Sequence, residues 1–143
     1  MAGCLDGIRV LDLGRYQAGP RCAMILNDLG AEVVKVEAPG GDESRGLGRV
    51  YWGSYNRGKK SITLNMRSEQ GKTLLRELIP KFDMLLQNFR PGVMDAMGFG
   101  YETLKSLNPG LILINVSGFG QYGPYKHRPA YDPIGQAMSG LMS

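Results

Sequence analysis

The chain has 143 residues, of which 43% are apolar and 21% charged, with a net charge of +4; this is the composition of one globular domain with an ordinary core and excludes a disordered chain. No apolar run approaches the roughly 20 residues that cross a bilayer, and "MAGCLDG" lacks the basic and apolar regions of a secretion signal; no membrane association is expected. Basic residues are scattered rather than striped with aromatics, and Cys4 and Cys22 offer neither metal spacing nor a disulfide framework, so neither nucleic acid nor a metal is expected, and the default setting is the reducing cytoplasm.

"IRVLDL" (8–13) is an apolar, β-branched run that predicts a strand, followed by the loop "GRYQAG". Pro20 suits the first turn of a helix, where its missing N–H costs nothing. That helix carries Ala23, Met24, Leu26 and Leu29 and stops at Gly30. "AEVVKVE" (31–37) predicts a second strand, and the resulting β-α-β unit implies a parallel sheet. Residues 38–60 read as a long polar loop, a length that marks functional or mobile segments. "SITLNM" (61–66) is a strand candidate. Ser68 caps a helix over about 69–81, with Leu74, Leu75, Leu78 and Ile79 on one face. "DMLLQNF" (83–89) predicts a strand, short helices are expected over 92–97 and 101–108, and "LILINVS" (111–117) predicts the last strand. A helix over 133–142 closes the chain. No internal domain boundary is visible.

Two glycine motifs invite a nucleotide. Gly118-Phe-Gly120-Gln-Tyr-Gly123 follows a predicted strand and matches the dinucleotide fingerprint literally, but that loop works because its third glycine opens a helix. Here Pro124 and "YKHRP" follow, a turn-rich segment, so a glycine turn is the better reading and NAD is not expected. Gly14 to Gly19 has P-loop spacing, but Pro20-Arg21 replaces the Lys-Ser/Thr that contacts phosphate and magnesium. Without a first-turn fingerprint, Glu37 reads as a solvated loop carboxylate rather than a ribose ligand.

Five blocks carry a different resemblance: "LDGIRVLDLGRYQAGPRCAMILNDLGAEVVKVE" (5–37), "NRGKKSITLNM" (56–66), "QNFRPGVMDAMGFGYETLKSLNP" (87–109), "SGFGQYGPY" (117–125) and "RPAYDPIGQAMSGLMS" (128–143). In this order they strongly resemble the N-terminal portion of the family III coenzyme A transferases, the group that includes formyl-CoA and carnitine-CoA transferases. The resemblance implies an α/β fold: a Rossmann-like parallel sheet with flanking helices, residues 1–143 being the CoA-binding part of a larger interlocked-dimer architecture. It implies acyl-CoA and a carboxylic acid as small-molecule partners, and a homodimer. In the family's chemistry an aspartate attacks the acyl-CoA thioester, giving a mixed anhydride and CoA thiolate, and the thiolate then forms an aspartyl-CoA thioester. By the resemblance that aspartate falls beyond Ser143, so no catalytic residue is assigned within the chain, and the chain alone is expected to lack turnover.

By position the family's CoA contacts fall on Gln17 and Ala18, on Leu64, Asn65, Met66 and Arg67, on Asn88, Phe89 and Arg90, on Met97, and on Pro129, Ala130, Tyr131 and Asp132. Several of these follow predicted strands, where ligands sit in open α/β sheets. Phe89 or Tyr131 offers a stacking surface for adenine, while Phe89 equally suits the core. Ala38 and Ala96 stand where formyl-CoA transferase carries arginines, leaving Lys35, Lys59, Lys60, Arg57 or Arg90 as alternative phosphate charges. Asp132 reads as an N-cap of the last helix. The related 2-methylacyl-CoA racemases place a histidine base where this chain has Tyr131, and a phenol of ordinary pKa near 10 is a poor base, which favours transferase over racemase. A CoA-binding module without catalysis is the remaining alternative.

Overall fold

The computed structural model describes residues 3–142. Five strands form one wholly parallel sheet: β1 (Arg9–Asp12), β2 (Glu32–Glu37), β3 (Lys60–Thr63), β4 (Met84–Gln87) and β5 (Ile112–Asn115), in the order β3-β2-β1-β4-β5. The chain runs outward from β1 to one edge, then returns across it to the other. The switch in direction therefore lies between β1 and β4, the place where open α/β sheets bind ligands.

Alternation along the strands divides the core in two. Leu11, Leu13, Val36 and Leu85 pack with Leu75, Ile79, Phe99 and Leu104 on one face. Val10, Val33 and Leu86 pack with Ala23 and Ala31 on the other. The first face is covered by α3 (Glu69–Leu78) and α5 (Tyr101–Leu107), with Met94 of the single-turn α4 (Val93–Ala96). The second is covered by α1 (Ala18–Asp28). Ser68 caps α3 as expected, its hydroxyl accepting the Gly71 amide at 3.1 Å. A 3-10 turn over Ile79–Lys81, with Pro80 in its first positions, completes the predicted 69–81 helix.

The largest departure from the sequence reading is the segment 38–60. It is no loop: it holds a 3-10 turn (Glu43–Leu47) and the helix α2 (Arg49–Asn56), which packs against α1. Asp42 caps the turn, accepting the Ser44 amide at 2.8 Å. The last helix, α6 (Asp132–Met138), is shorter than the predicted 133–142 and buries none of its residues. Tyr131 occupies its N-cap position and Asp132 its first turn, with no side-chain cap hydrogen bond, so Asp132 is not the expected N-cap. Its carboxylate accepts from the Gln136 amide group instead.

Candidate CoA-binding site

Because all five strands are parallel, their carboxyl ends share one edge of the sheet. β1 ends in Asp12 and runs into the loop 13–17 that opens α1; β4 ends in Gln87 and runs into Asn88, Phe89 and Arg90. Asn88 ties these two loops together. Its Oδ1 accepts the Arg15 amide at 2.8 Å and its Nδ2 donates to the Arg15 carbonyl at 2.9 Å. Gly19 makes the approach possible, since a Cβ there would stand 3.0 Å from the Asn88 Cγ. Gln17 and Ala18 are exposed on this shelf. Gln17 is the N-cap of α1 and makes no capping side-chain bond, which leaves the first helical amides open to an anion. Tyr16, half-exposed beside them, has φ 60, the sole non-glycine positive φ among the described residues; such a conformation persists only where its surroundings enforce it.

The other expected contacts spread along the same edge. Leu64 is buried in the core, its amide bonded to the Glu37 carbonyl at 2.8 Å. Asn65 and Arg67 are exposed past β3, Asn65 Oδ1 accepting the Arg67 amide at 3.1 Å. Met66, Phe89 and Met97 are half-buried against the core, so packing claims much of each side chain. Arg90 lines a cleft of about 320 Å³ between the β4 and β5 ends, with Gln87, Asn115, Tyr101, Lys126 and His127. Pro129, Tyr131 and Asp132 are exposed, and Ala130 abuts Gly118 so closely that a Cβ at 118 would collide with it. That contact, with positive φ at Gly120 and Gly123, makes 118–123 a turn segment; the next helix opens only at Asp132.

Beneath the first loop lies a charge cluster the sequence reading missed. Asp12 is fully buried and pairs with Lys59 at 2.8 Å, the two side chains being 0% and 1% exposed. Lys35 is equally buried, donating to the Gly14 carbonyl at 2.5 Å and pairing with Asp42 at 3.2 Å. Glu37 is buried too, receiving Arg45 at 2.7 Å on both oxygens, the Ser61 hydroxyl and the Asp42 amide. The Arg45 hydrogen bonds, outweighing burial, hold its carboxyl at about 2. Glu37 is therefore no solvated loop acid, and Asp42 is not one either. Burial pushes Asp42 up, but the Ser44 bonds and Lys35 bring it below its ordinary value. Burial likewise drives the Lys59 ammonium down against the pull of Asp12. Trp52 of α2 lies under both cations, 3.8 Å from Arg45 and 5.5 Å from Lys35. Of the five alternative phosphate charges, Lys35 and Lys59 are buried in these pairs, Lys60 and Arg57 make exposed pairs with Glu32 and Asp28, and Arg90 lines the cleft. Among the described residues no cluster of acidic, histidine or cysteine side chains is arranged to hold a metal, and no helix is long and apolar enough to cross a membrane.

The sequence pattern of the CoA-transferase family III matches residues 5–143. This chain belongs to the family III CoA-transferases. A succinyl-CoA–D-citramalate CoA-transferase of Chloroflexus aurantiacus is 50% identical over 96% of the chain, and an acetyl-CoA:oxalate CoA-transferase of Acetobacter aceti 49% over 98%. The chain spans 36% and 38% of those relatives' own lengths. A CAIB/BAIF family protein from Brucella suis superposes with a TM-score of 0.95 at 42% identity, over 99% of this chain and 40% of that one. A short-chain dehydrogenase/reductase family protein, 17% identical with a TM-score of 0.52, shares the fold alone. In this chain the loop after the first strand of that sheet is underlaid by Lys35 and Lys59.

Proposed function

We propose that this chain is the CoA-binding portion of an acyl-CoA:carboxylate CoA-transferase. The observation that carries the reading is the Asn88 bridge between the β1 and β4 loops at the switch point, which presents Gln17, Ala18 and the uncapped start of α1 side by side. An acyl-CoA laid across this shelf would have amides and the Gln17 amide group for its polar atoms. Arg90, Lys126 and His127 in the neighbouring cleft suit its phosphates, in place of the arginines that Ala38 and Ala96 replace. Leu64 and Met66 contribute backbone and edge contacts rather than side-chain polarity. Asp132, exposed and engaged with Gln136, has none of the desolvation that protects an anhydride from water.

Acetyl-CoA is expected to bind in calorimetry and NAD to give no heat of binding. Asn88→Ala, which unties the two loops, should weaken acetyl-CoA by roughly tenfold, the scale of one to two lost hydrogen bonds. Tighter binding of NAD than of acetyl-CoA sinks the assignment. We also read the chain as associating with a second copy: Ile134, Met138, Leu141 and Met142 are exposed, as is Ile112 on the edge strand β5, and unpaired edges with apolar surface favour association. Light scattering should report a dimer or larger species, and a clean monomer at high concentration counts against it.

A further inference from the structure

The two buried lysines do nothing in the chemistry proposed above, yet both act on one loop. Lys59, where the chain enters β3, donates to Asp12 at 2.8 Å, to the Pro20 carbonyl at 2.8 Å and to Asn56 at 3.1 Å. The other oxygen of Asp12 accepts the Gly14 amide at 2.7 Å, and Lys35 takes the Gly14 carbonyl. Gly14 is thus held at both its polar groups, and the first turn of α1 is held at Pro20. Between these fixed points run Arg15, Tyr16, Gln17 and Ala18, with Tyr16 in its left-handed conformation. The carboxylate and amide that complete the lysines' coordination, Asp42 and Asn56, come from the segment containing the 3-10 turn and α2. Buried ion pairs contribute little to stability beyond what packed apolar side chains would give, so their concentration under one loop calls for a positional role.

We propose that Lys35 and Lys59 are positioning residues for acyl-CoA binding: they set the 14–18 loop in its ligand-ready form and make that form conditional on docking of residues 42–56. The proposal rests on the CoA reading of the loop. Neither lysine touches the ligand. Each orders the backbone that does, so its loss loosens a short stretch rather than the sheet.

The test uses the whole chain. Lys35→Met keeps the stem and deletes the ammonium. Lys35→Met/Asp42→Asn and Lys59→Met/Asp12→Asn also remove the carboxylate left unpaired, so that a folded variant is in hand even if the single change unfolds. Amide hydrogen exchange is followed without ligand, and acetyl-CoA affinity by calorimetry, with Gln17→Ala as the direct-contact control. Exchange at Gly14 and Arg15, the hydrogen-bonded amides of the loop, should rise at least roughly tenfold while α3 and β4 amides keep wild-type protection, and acetyl-CoA should weaken by about tenfold, the scale of a lost charged hydrogen bond. Wild-type exchange at Gly14 and Arg15 in a folded variant overturns the proposal, and so does a uniform rise across the sheet, which marks a purely structural pair. No acetyl-CoA binding by the wild type overturns the CoA reading itself. The exchange data, which need no ligand, separate that failure from failure of the positioning.

Discussion

The loop after β1 and the segment after β5 both leave the carboxyl edge of the sheet and both carry expected CoA contacts, yet they are built by opposite means. The first is fixed from below by Asp12, Lys35, Asp42 and Lys59, each with its polar atoms paired inside the protein. The second, residues 116–142, lies on the surface. Tyr122, Tyr131 and Leu141 are 86%, 73% and 77% exposed, and α6 buries nothing. Its internal order rests on small contacts, such as Phe119 against Tyr125 at 5.8 Å and Arg128 over Tyr125 at 4.1 Å. The first region is organised by this chain alone. The second presents side chains that no other part of the described residues covers.

The comparison breaks most visibly at Asp12. Asp12→Ala leaves the Lys59 ammonium buried without a counter-charge, a loss of about 3–5 kcal/mol when one partner of such a pair is removed. Urea unfolding followed by far-ultraviolet dichroism should show it. A loss under 1 kcal/mol would mean that water reaches Lys59 and that the loop is not clamped as described.

Next in size is the response to acid. Glu37 ionises at about 2 in the folded chain against an ordinary 4.5, because Arg45 and its other donors favour the carboxylate. A depressed carboxyl stabilises the fold above its unfolded value, and the contribution is lost as pH falls through the folded value. The window is thus pH 4.5 down to about 2. The shift corresponds to at most about 3 kcal/mol, and screening at the half-exposed Arg45 reduces it. Stability measured across that window should fall in the wild type and run flatter in Glu37→Gln. Parallel slopes would remove Glu37 from the account.

How much of this the sequence disclosed follows from range. The strands were legible to within two or three residues, because parallel strands covered on both faces are short, nearly unbroken apolar runs. Ser68 and Gly30 marked helix ends through local chemistry. The helix α2 was not legible: "RVYWGSYN" is short, with a glycine before it and another, Gly53, inside it, and its Trp52 packs under Arg45 and Lys35. The Asp12–Lys59 pair joins residues 47 positions apart, which a single sequence does not reveal. One signal was present. Val33, Lys35 and Glu37 alternate along β2, so a buried Val33 puts the lysine and the glutamate on a buried face, where charges need partners. The shelf at Gln17, Ala18 and Asn88 was reachable from the resemblance and from the rule for strand ends; what holds it in place was not.

The smallest expected effect on stability sharpens the comparison from the other side. Tyr131→Ala removes a phenol ring that is 73% exposed at the N-cap of a helix with no buried residues. Surface changes of this kind shift stability by about 0.5 kcal/mol or less, and the melting curve should overlay that of the wild type. The ring nonetheless sits in the "RPAYDPI" block that resembles the family's CoA contacts, so acetyl-CoA affinity is where its loss should register. The expected pattern is an unchanged melt with weaker binding, the reverse of Asp12→Ala, whose first effect is on the fold. Should Tyr131→Ala lower the melting temperature by several degrees, the 116–142 segment is packed more tightly than its exposure indicates, and the contrast between a self-supported loop and an uncovered segment fails. Should both stability and affinity stay at wild-type values, Tyr131 is a bystander in this chain and the shelf after β1 carries the binding by itself.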